Sequence, residues 1–283
     1  MGKKIISILI TLFGVGLACY PWISNWVFQH AADNKVTVYQ NTIKNESKER
    51  QQEMLKEAHE YNANLSQGQV TLTDPFDENQ VKENENLQYS SVLNVDGEGM
   101  MAYIEIPCIN VSLPVFHGTD NVTLENGVGH LEGSSLPVGG ESTHAVLTGH
   151  TGLNKAKLFT DLTEVKEKDL FFIHVCGETL AYEVCEISVV RPEEISSLLI
   201  RDGEDLVTLV TCTPYGVNTH RLFVTGRRTE YTEELHNSAK VNKPDSMWMR
   251  TYRKALIIGL VIALLLIGFI RLLQRRKKNG KNI

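Results

Sequence analysis

Hydrophobic residues follow three different patterns along this chain of 283 residues. Two continuous apolar blocks, residues 5–28 and 255–273, lie near its ends. Between residues 34 and 68, apolar positions recur every three or four residues, which is the period of an amphipathic helix. A polar stretch at 45–53 interrupts this period, so the segment is predicted to form two amphipathic helices or one helix with a solvated middle.

From residue 100 onward the pattern changes to alternation and short apolar runs, which are typical of β-strands. The predicted strands are 101–106, 111–116, 143–149, 169–176, 180–190, 205–212 and 221–227. Turns rich in Gly, Pro and Asn separate them, and one helical stretch is predicted near 155–163. Seven or eight short strands over about 130 residues predict a mainly β fold, a closed or nearly closed barrel.

Both apolar blocks are about as long as a membrane span, since a helix needs roughly 20 apolar residues to cross a bilayer. Lys3 and Lys4 precede the first block, and six basic residues between 271 and 281 end or follow the second. Basic residues favour the cytoplasmic side, so both termini are predicted to lie inside and the rest outside. Three basic residues within 250–254 oppose this orientation.

The N-terminal block has two alternatives to an uncleaved anchor. A short basic region before an apolar run is also typical of a cleaved signal peptide. The sequence GLAC, which ends at Cys19, resembles a lipoprotein signal, although Gly16 stands where Leu is usual.

The charge is distributed unevenly. The formal net charge is −6, yet all 34 acidic residues lie between the terminal segments, together with 17 of the 28 basic residues. The middle of the chain therefore has a net charge of −17. Nucleic acid is excluded as a partner, because binding it requires a basic face.

The chain has five cysteines, at positions 19, 108, 176, 185 and 212. Cys176 and Cys185 are predicted in two strands joined near residues 177–179, offset by several residues and poorly placed for a disulfide. Cys108, Cys176 and Cys185 are interpreted as small buried apolar side chains. Cys19 lies in the first apolar block, which leaves Cys212 to be considered separately.

Cys212 ends the predicted strand 205–212 and is followed by a Pro-Tyr-Gly turn. Arg221 opens the next strand, so the two side chains are expected at the same end of the sheet. A thiol beside a guanidinium is in a setting that favours the nucleophilic thiolate.

A cysteine nucleophile that expels an amine also needs a proton donor, usually His. His150 is the best-placed candidate, because it follows the apolar strand at 143–149 and precedes a Gly-containing turn. The main alternatives are His144, at the start of the same strand, and His220, beside Arg221. His130 is placed in a Gly-rich turn. The His and Cys spacing gives no set of metal ligands, and no cofactor is predicted.

Three sequence stretches together resemble a known family. The stretches AVLTGHTGL, LVTLVTCTPYGVNTHR and GVGHLEGSSLPVGGESTH resemble the class C, pilus-assembling sortases of Gram-positive bacteria, and the resemblance covers residues 100–228. It implies an eight-stranded sortase β-barrel in which His150, Cys212 and Arg221 are catalytic. The predicted membrane span at the C-terminus also fits class C. The expected fold is therefore this barrel with N-terminal helices, a lid segment and a membrane helix at each end.

The segment TDPFD, upstream of the first strand, resembles the lid of that family. The lid motif falls on Asp74, Pro75 and Phe76, and the resemblance implies that Asp74 contacts Arg221 and Phe76 covers Cys212. The alternative is an Asp-Pro turn in a linker. The connection 191–204 either shapes specificity or joins two strands at the surface.

The expected organisation therefore has seven segments. They are a signal or membrane anchor at 1–33, a helical region at 34–70, a lid and connecting segment at 71–99, the barrel at 100–230, a linker at 231–254, a membrane helix at 255–273 and a basic tail at 274–283.

The resemblance implies a cysteine transpeptidase at the cell membrane, with its catalytic domain on the extracellular face. Its substrate would be an LPXTG-like sorting signal of a pilin, cleaved between Thr and Gly and joined to an acceptor Lys of the next pilin. Alternatives are a sortase that anchors proteins to peptidoglycan, an unrelated cysteine hydrolase and a non-catalytic membrane-bound pilus scaffold. Papain-like hydrolases place Cys before His at a helix start, whereas Cys212 follows His150 and ends a strand.

Overall fold

A computed structural model describes residues 2–66, 72–77, 87–95, 97–153, 155–239 and 247–279. The chain divides into two compact units, one of Met1–Tyr20 with Asp245–Ile283 and the other of Pro21–Pro244. The helices in the described residues are α1 (Gly2–Asn45), α2 (Lys48–Ser66), α3 (Leu87–Ser91), α4 (Asn121–Asn126), α5 (Glu233–Ala239) and α6 (Met247–Asn279).

Eight strands form a closed barrel in the order β1-β2-β3-β4-β7-β8-β6-β5. They are β1 (Met100–Ile106), β2 (Val111–His117), β3 (Val128–His130), β4 (Thr143–Thr148), β5 (Leu170–Val175), β6 (Glu178–Val190), β7 (Asp205–Thr213) and β8 (His220–Thr229). The prediction of a mainly β barrel with N-terminal helices is confirmed.

The seven predicted strands are present, and the remaining differences are local. β3 is the eighth strand, and it places His130 in the barrel instead of in a turn. The helix predicted near 155–163 is shorter and later, a 3₁₀ segment at Thr160–Glu164. The short helices α3, α4 and α5 were not predicted from periodicity, because helices of five to seven residues show too few turns.

The pairing of three adjacent strands brings the ends of β4 and β7 and the start of β8 together at one end of the barrel. β4 and β7 are parallel, with pairs from Thr143↔Asp205 to Thr148↔Val210, so their C-terminal ends lie together. β7 and β8 are antiparallel, which brings the start of β8 to the same end. All six residues of β4 are buried, although β4 is parallel only to β7 and antiparallel to β3.

The N-terminal helices pack on the barrel through the predicted apolar faces. Val36, Tyr39 and Ile43 of α1 are buried, as are Met54 and Ala58 of α2. Glu46 and Ser47 separate the two helices, so of the two alternatives predicted from the sequence the structure has two helices. The Ser47 hydroxyl accepts a hydrogen bond from the Arg50 N–H at 3.2 Å and caps α2.

All five cysteines are free thiols, and Cys108 and Cys176 are buried as predicted. The prediction that Cys185 is buried is wrong, because its side chain is exposed beside the β-bulge between Val184 and Glu186. Cys176 lies in the β5–β6 turn and not in a strand, because the hairpin turns at Cys176–Gly177, where φ is 46° and 84°.

None of the helices in the described residues has the combined length and hydropathy of a membrane span. The two predicted spans, 5–28 and 255–273, are therefore not confirmed by the structure.

Some of the predicted segments extend beyond the described residues. Parts of the helical region (67–70), the lid and connecting segment (71, 78–86 and 96), the linker (240–246) and the tail (280–283) lie outside them.

Candidate active site

Cys212 and Arg221 face each other across the end of the β7–β8 pair. The strand register places the two residues directly opposite, as their positions at the end of one strand and the start of the next predicted. Both side chains are largely buried, with Cys212 at 8% exposure.

His150 follows β4 at the same end of the barrel. The residue before it, Gly149, donates its N–H to the Val210 carbonyl at 3.0 Å and accepts the Thr211 hydroxyl at 2.6 Å. These bonds tie the start of the His150 loop to the two residues of β7 that directly precede the nucleophile. A Cβ at position 149 would collide with the Phe159 ring, so Gly is required there for close packing.

The loop after His150 is held by contacts with two helices. The Ser24 hydroxyl of α1 donates to the Lys155 carbonyl at 3.1 Å, and Asn25 accepts the Lys157 N–H at 2.8 Å. The Lys155 ammonium pairs with Glu125 of α4 at 2.6 Å. The His150 loop therefore depends on α1 and α4 as well as on the barrel.

The segment 72–77 lies over the Cys212–Arg221 end. Asp74 accepts two hydrogen bonds from the Arg221 guanidinium, from Nε at 2.8 Å and from an Nη at 2.5 Å. This is the bidentate geometry of a strong charge-assisted pair. The Asp74–Arg221 contact that the sequence resemblance implied is therefore present.

The ring of Phe76 lies close to both His150 and Arg221. Its ring lies 5.6 Å from the His150 ring, between centroids, and 5.1 Å from the guanidinium carbon of Arg221. It also packs against a small buried cluster of apolar side chains: Leu72, Leu131, Val146, Leu198, Val210 and Phe223. Leu198 belongs to the connection 191–204, so that loop supports the segment 72–77.

A cavity of about 520 Å³ joins these groups. It is lined by Pro75, Phe76, Thr119, Asp120, Asn121, Leu124, His150, Cys212, Asn218 and Arg221. The three predicted catalytic residues and two of the three predicted lid residues therefore share one cavity. Asp74 joins them through its bonds to Arg221.

The cavity wall formed by residues 119–124 and the contribution of Asn218 were not predicted from the sequence. Asp120 is the N-cap of α4 and accepts the Val122 and Thr123 N–H groups. An Asp at the start of a short helix was a usable signal for α4, but not for its position beside the cavity.

Burial controls the protonation of the nucleophile. It raises the pKa of the Cys212 thiol to about 11; the Arg221 guanidinium lowers this pKa, and the Asp74 carboxylate raises it further. Burial also lowers the pKa of His150, with a smaller opposing effect of Glu125. The resting pair is therefore a neutral thiol and a neutral imidazole, and the thiolate-favouring effect of Arg221 is outweighed.

The alternative histidines are engaged elsewhere. His144 is fully buried and bonds the Thr208 hydroxyl at 2.7 Å and the Leu199 carbonyl at 3.0 Å. His130 is fully buried and bonds the Tyr89 hydroxyl at 2.8 Å. His220 pairs across the sheet with Thr213 and does not line the cavity.

The Sortase domain family matches residues 104–229 of this chain. The crystal structure of sortase C-1 from Actinomyces oris is 50% identical, with a TM-score of 0.60, over 64% of this chain and 99% of that chain. The chain belongs to the sortase family. The prediction of a sortase transpeptidase is thus confirmed at the level of the family.

Two further sortases are similar to this chain. A sortase C structure from Streptococcus pneumoniae is 40% identical, with a TM-score of 0.64, over 70% of this chain and 98% of that chain. That structure was described in terms of catalysis and pilin substrate specificity. Sortase A of Streptococcus agalactiae serotype III is 32% identical over 114 residues, 39% of this chain. The chain spans 45% of the length of that curated relative.

Proposed function

We propose that this sortase is a cysteine transpeptidase of the pilus-assembling type, with Cys212 as nucleophile. The observation that carries the proposal is the common cavity of Cys212, His150 and Arg221 at one end of the barrel. The similarity to sortase C structures supports pilins as the partners.

In the first half-reaction, the Cys212 thiol transfers its proton to His150 and the thiolate attacks the Thr–Gly carbonyl of an LPXTG-like signal. The new C–S bond forms, the C–N bond breaks, and His150 returns the proton to the departing glycine amine. Arg221 stabilises the negative oxygen that develops on the carbonyl, or holds the substrate, as a fixed cation beside the nucleophile.

In the second half-reaction, a Lys amine of the next pilin attacks the thioester. The C–N bond forms, the C–S bond breaks, His150 accepts the proton of the amine, and the thiol is regenerated. An amine acceptor in place of water makes the reaction polymerisation instead of hydrolysis.

The segment 72–77 acts in this proposal as a lid. Asp74 occupies the Arg221 donors that the substrate would use, and Phe76 lies against His150. The substrate can therefore reach Arg221 only after the Asp74–Arg221 pair opens.

The proposed location is the cell membrane, with the catalytic domain on the extracellular face. The two apolar blocks at 5–28 and 255–273, and the basic residues beyond them, support this location.

The test incubates the full chain in detergent with an LPXTG peptide and a pilin that carries its acceptor Lys. We expect mass spectrometry to show a thioacyl adduct on Cys212 and a ligated product, with more of both in an Asp74→Ala variant. Cys212→Ala should form neither, whereas Cys185→Ala should form both. Absence of adduct and product from the Asp74→Ala protein would contradict the proposal.

A further inference from the structure

The cavity has one carboxylate on the wall formed by residues 119–124. Among its lining residues only Arg221 and Asp120 carry a full charge, within the part of the chain that the structure describes. Arg221 is already neutralised by Asp74. With the lid closed, the carboxylate of Asp120 is therefore the uncompensated charge of the cavity.

Asp120 is held rigidly by three hydrogen bonds. Its Oδ1 accepts the N–H groups of Val122 and Thr123 at 2.9 and 3.0 Å, and its Oδ2 accepts the Thr123 hydroxyl at 2.7 Å. A carboxylate offers about four acceptor positions, so one remains on Oδ2.

No cation within the described residues pairs with Asp120. Lys155, a basic residue of the His150 loop, pairs with Glu125 at 2.6 Å. Asp120 thus combines a fixed position, a spare acceptor site and an unpaired charge in the cavity that also contains His150 and Cys212.

We propose that Asp120 binds the ammonium group of the acyl acceptor, and this rests on the function proposed above. A Lys side chain, with an ordinary pKa of about 10.4, arrives protonated at neutral pH. A carboxylate concentrates such a cation in the cavity, whereas it offers no charge attraction to water. The ammonium first loses one proton through His150 to solvent. The free amine then attacks the thioester on Cys212, and its second proton passes through His150 to the departing thiolate.

The helix-capping role of Asp120 can be separated from this binding role. Asn, Asp and Ser are about equally good N-caps, so capping does not require a negative charge. Asp120→Asn and Asp120→Ser therefore remove the charge and keep the cap, and their melting temperatures should stay close to that of the original chain. An effect that is seen in both variants can be attributed to the lost charge and not to the particular side chain that replaces Asp120.

The experiment compares two acceptors with the full chain carrying Asp74→Ala, so that the lid is open. One acceptor is a Lys-containing peptide, which is cationic, and the other is hydroxylamine, which is neutral at pH 7. The readout is the ratio of kcat/KM for the two acceptors, measured from ligated product and hydroxamate. Because both acceptors consume the same thioester, the ratio is independent of how fast the thioester forms.

We expect both Asp120 variants to lower this ratio about five-fold, mainly through a higher KM for the Lys peptide, as for a carboxylate–ammonium pair that solvent partly screens. In the protein that carries only Asp74→Ala, the preference for the Lys peptide over hydroxylamine should also fall with added salt. Glu183→Gln, which removes an exposed carboxylate of β6 that does not line the cavity, should leave the ratio unchanged. An unchanged ratio in Asp120→Asn and Asp120→Ser would overturn the ammonium site alone. Failure of every protein to form a thioacyl adduct would overturn the proposed function and the site with it.

Discussion

The Cys212 thiol is affected by a cation and an anion that act on its pKa in opposite directions. Arg221 lowers the pKa and Asp74 raises it, while burial, the largest effect, raises it to about 11. A thiol with this pKa has little thiolate at neutral pH and reacts slowly with electrophiles. The segment that closes the cavity therefore also keeps the nucleophile protonated.

Removal of the Asp74 carboxylate should increase the reactivity of Cys212. In Asp74→Ala, one cause of the raised pKa is lost and the thiol becomes more accessible, so the alkylation profile should move to lower pH. We expect iodoacetamide to modify Cys212 about ten-fold faster at pH 7, because more of the thiol is ionised and the thiol is less shielded.

The measurement follows alkylation against pH in a Cys185→Ser background, which removes the exposed thiol. Asp77→Asn is the matched control, because it changes a carboxylate in the same segment that does not bond Arg221. Equal rates in Asp74→Ala and the unsubstituted chain would show that the segment 72–77 does not control the thiol.

Residue order along the chain predicted much of the site, but not its electrostatics. Cys212 and Arg221 could be paired because one ends a strand and the other begins the next. His150 could not be chosen over His144 and His220 from spacing alone, since the choice depends on which side chains the barrel encloses. The raised pKa of Cys212 depends on burial beneath a segment more than 100 residues away in sequence, which no local pattern encodes.

At the scale of secondary-structure elements, the helix α1 contributes directly to the His150 loop. Asn25 accepts the Lys157 N–H at 2.8 Å, and this bond crosses from the N-terminal region to the loop that follows β4. A hydrogen bond of this kind, between a side-chain oxygen and a backbone N–H, contributes about 1 kcal/mol. The loop would therefore sample more conformations without Asn25.

We expect Asn25→Ala to lower the rate of thioacyl formation on Cys212 several-fold, because His150 is less well positioned, with a loss of about 1 kcal/mol in the free energy of unfolding. Single-turnover kinetics and urea denaturation measure the two effects. Asn34→Ala, at an exposed position of the same helix, should change neither. Equal rates in the two variants would argue against a positioning role.

The short helix α5 is attached to the barrel by an acid–base cluster. His236 of α5 lies 2.8 Å from a Glu105 carboxylate oxygen, and His174 of β5 lies 3.6 Å from the same oxygen. The His236 ring also packs on Phe172, 4.4 Å between centroids, and the His174 ring stacks on Tyr103 at 4.2 Å. His174 and His236 lower the pKa of Glu105 to about 2, against the effect of burial.

The lowered pKa of Glu105 makes the free energy of unfolding depend on pH in the acidic range. The pKa of Glu105 falls from 4.5 to about 2 on folding, so its contribution is complete above pH 4.5 and is lost as the pH falls toward 2. Because the carboxylate is partly exposed, that contribution is about 1 kcal/mol after solvent screening.

Glu105→Gln should therefore be less stable than the unsubstituted chain at neutral pH, and the difference should shrink between pH 4.5 and 2. Urea denaturation across this range measures it. Glu183→Gln, an exposed position on β6, is the control and should follow the unsubstituted chain. Parallel stability curves for Glu105→Gln and the unsubstituted chain would contradict the proposed coupling.

Periodicity predicted the elements that are long enough to show it. The seven longer strands and the two N-terminal helices were found because each repeats its pattern several times. β3 has three residues and α4 six, and both form only because the closed barrel and its loops fix their ends. The cavity wall at 119–124 was missed for this reason.

At the scale of the whole molecule, we propose that the catalytic domain lies on the outer side of the membrane. Cys185 reports on this location, because its side chain is exposed while Cys108, Cys176 and Cys212 are buried. A thiol reagent that cannot cross the membrane should therefore label Cys185 in intact cells that express the chain, provided that the barrel faces outward. The label should appear on the peptide containing Cys185 in mass spectrometry and be lost in Cys185→Ser, which separates it from any reaction at Cys19. Labelling that appears only after the cells are broken would place the barrel inside and would contradict the orientation drawn from the basic residues at both ends.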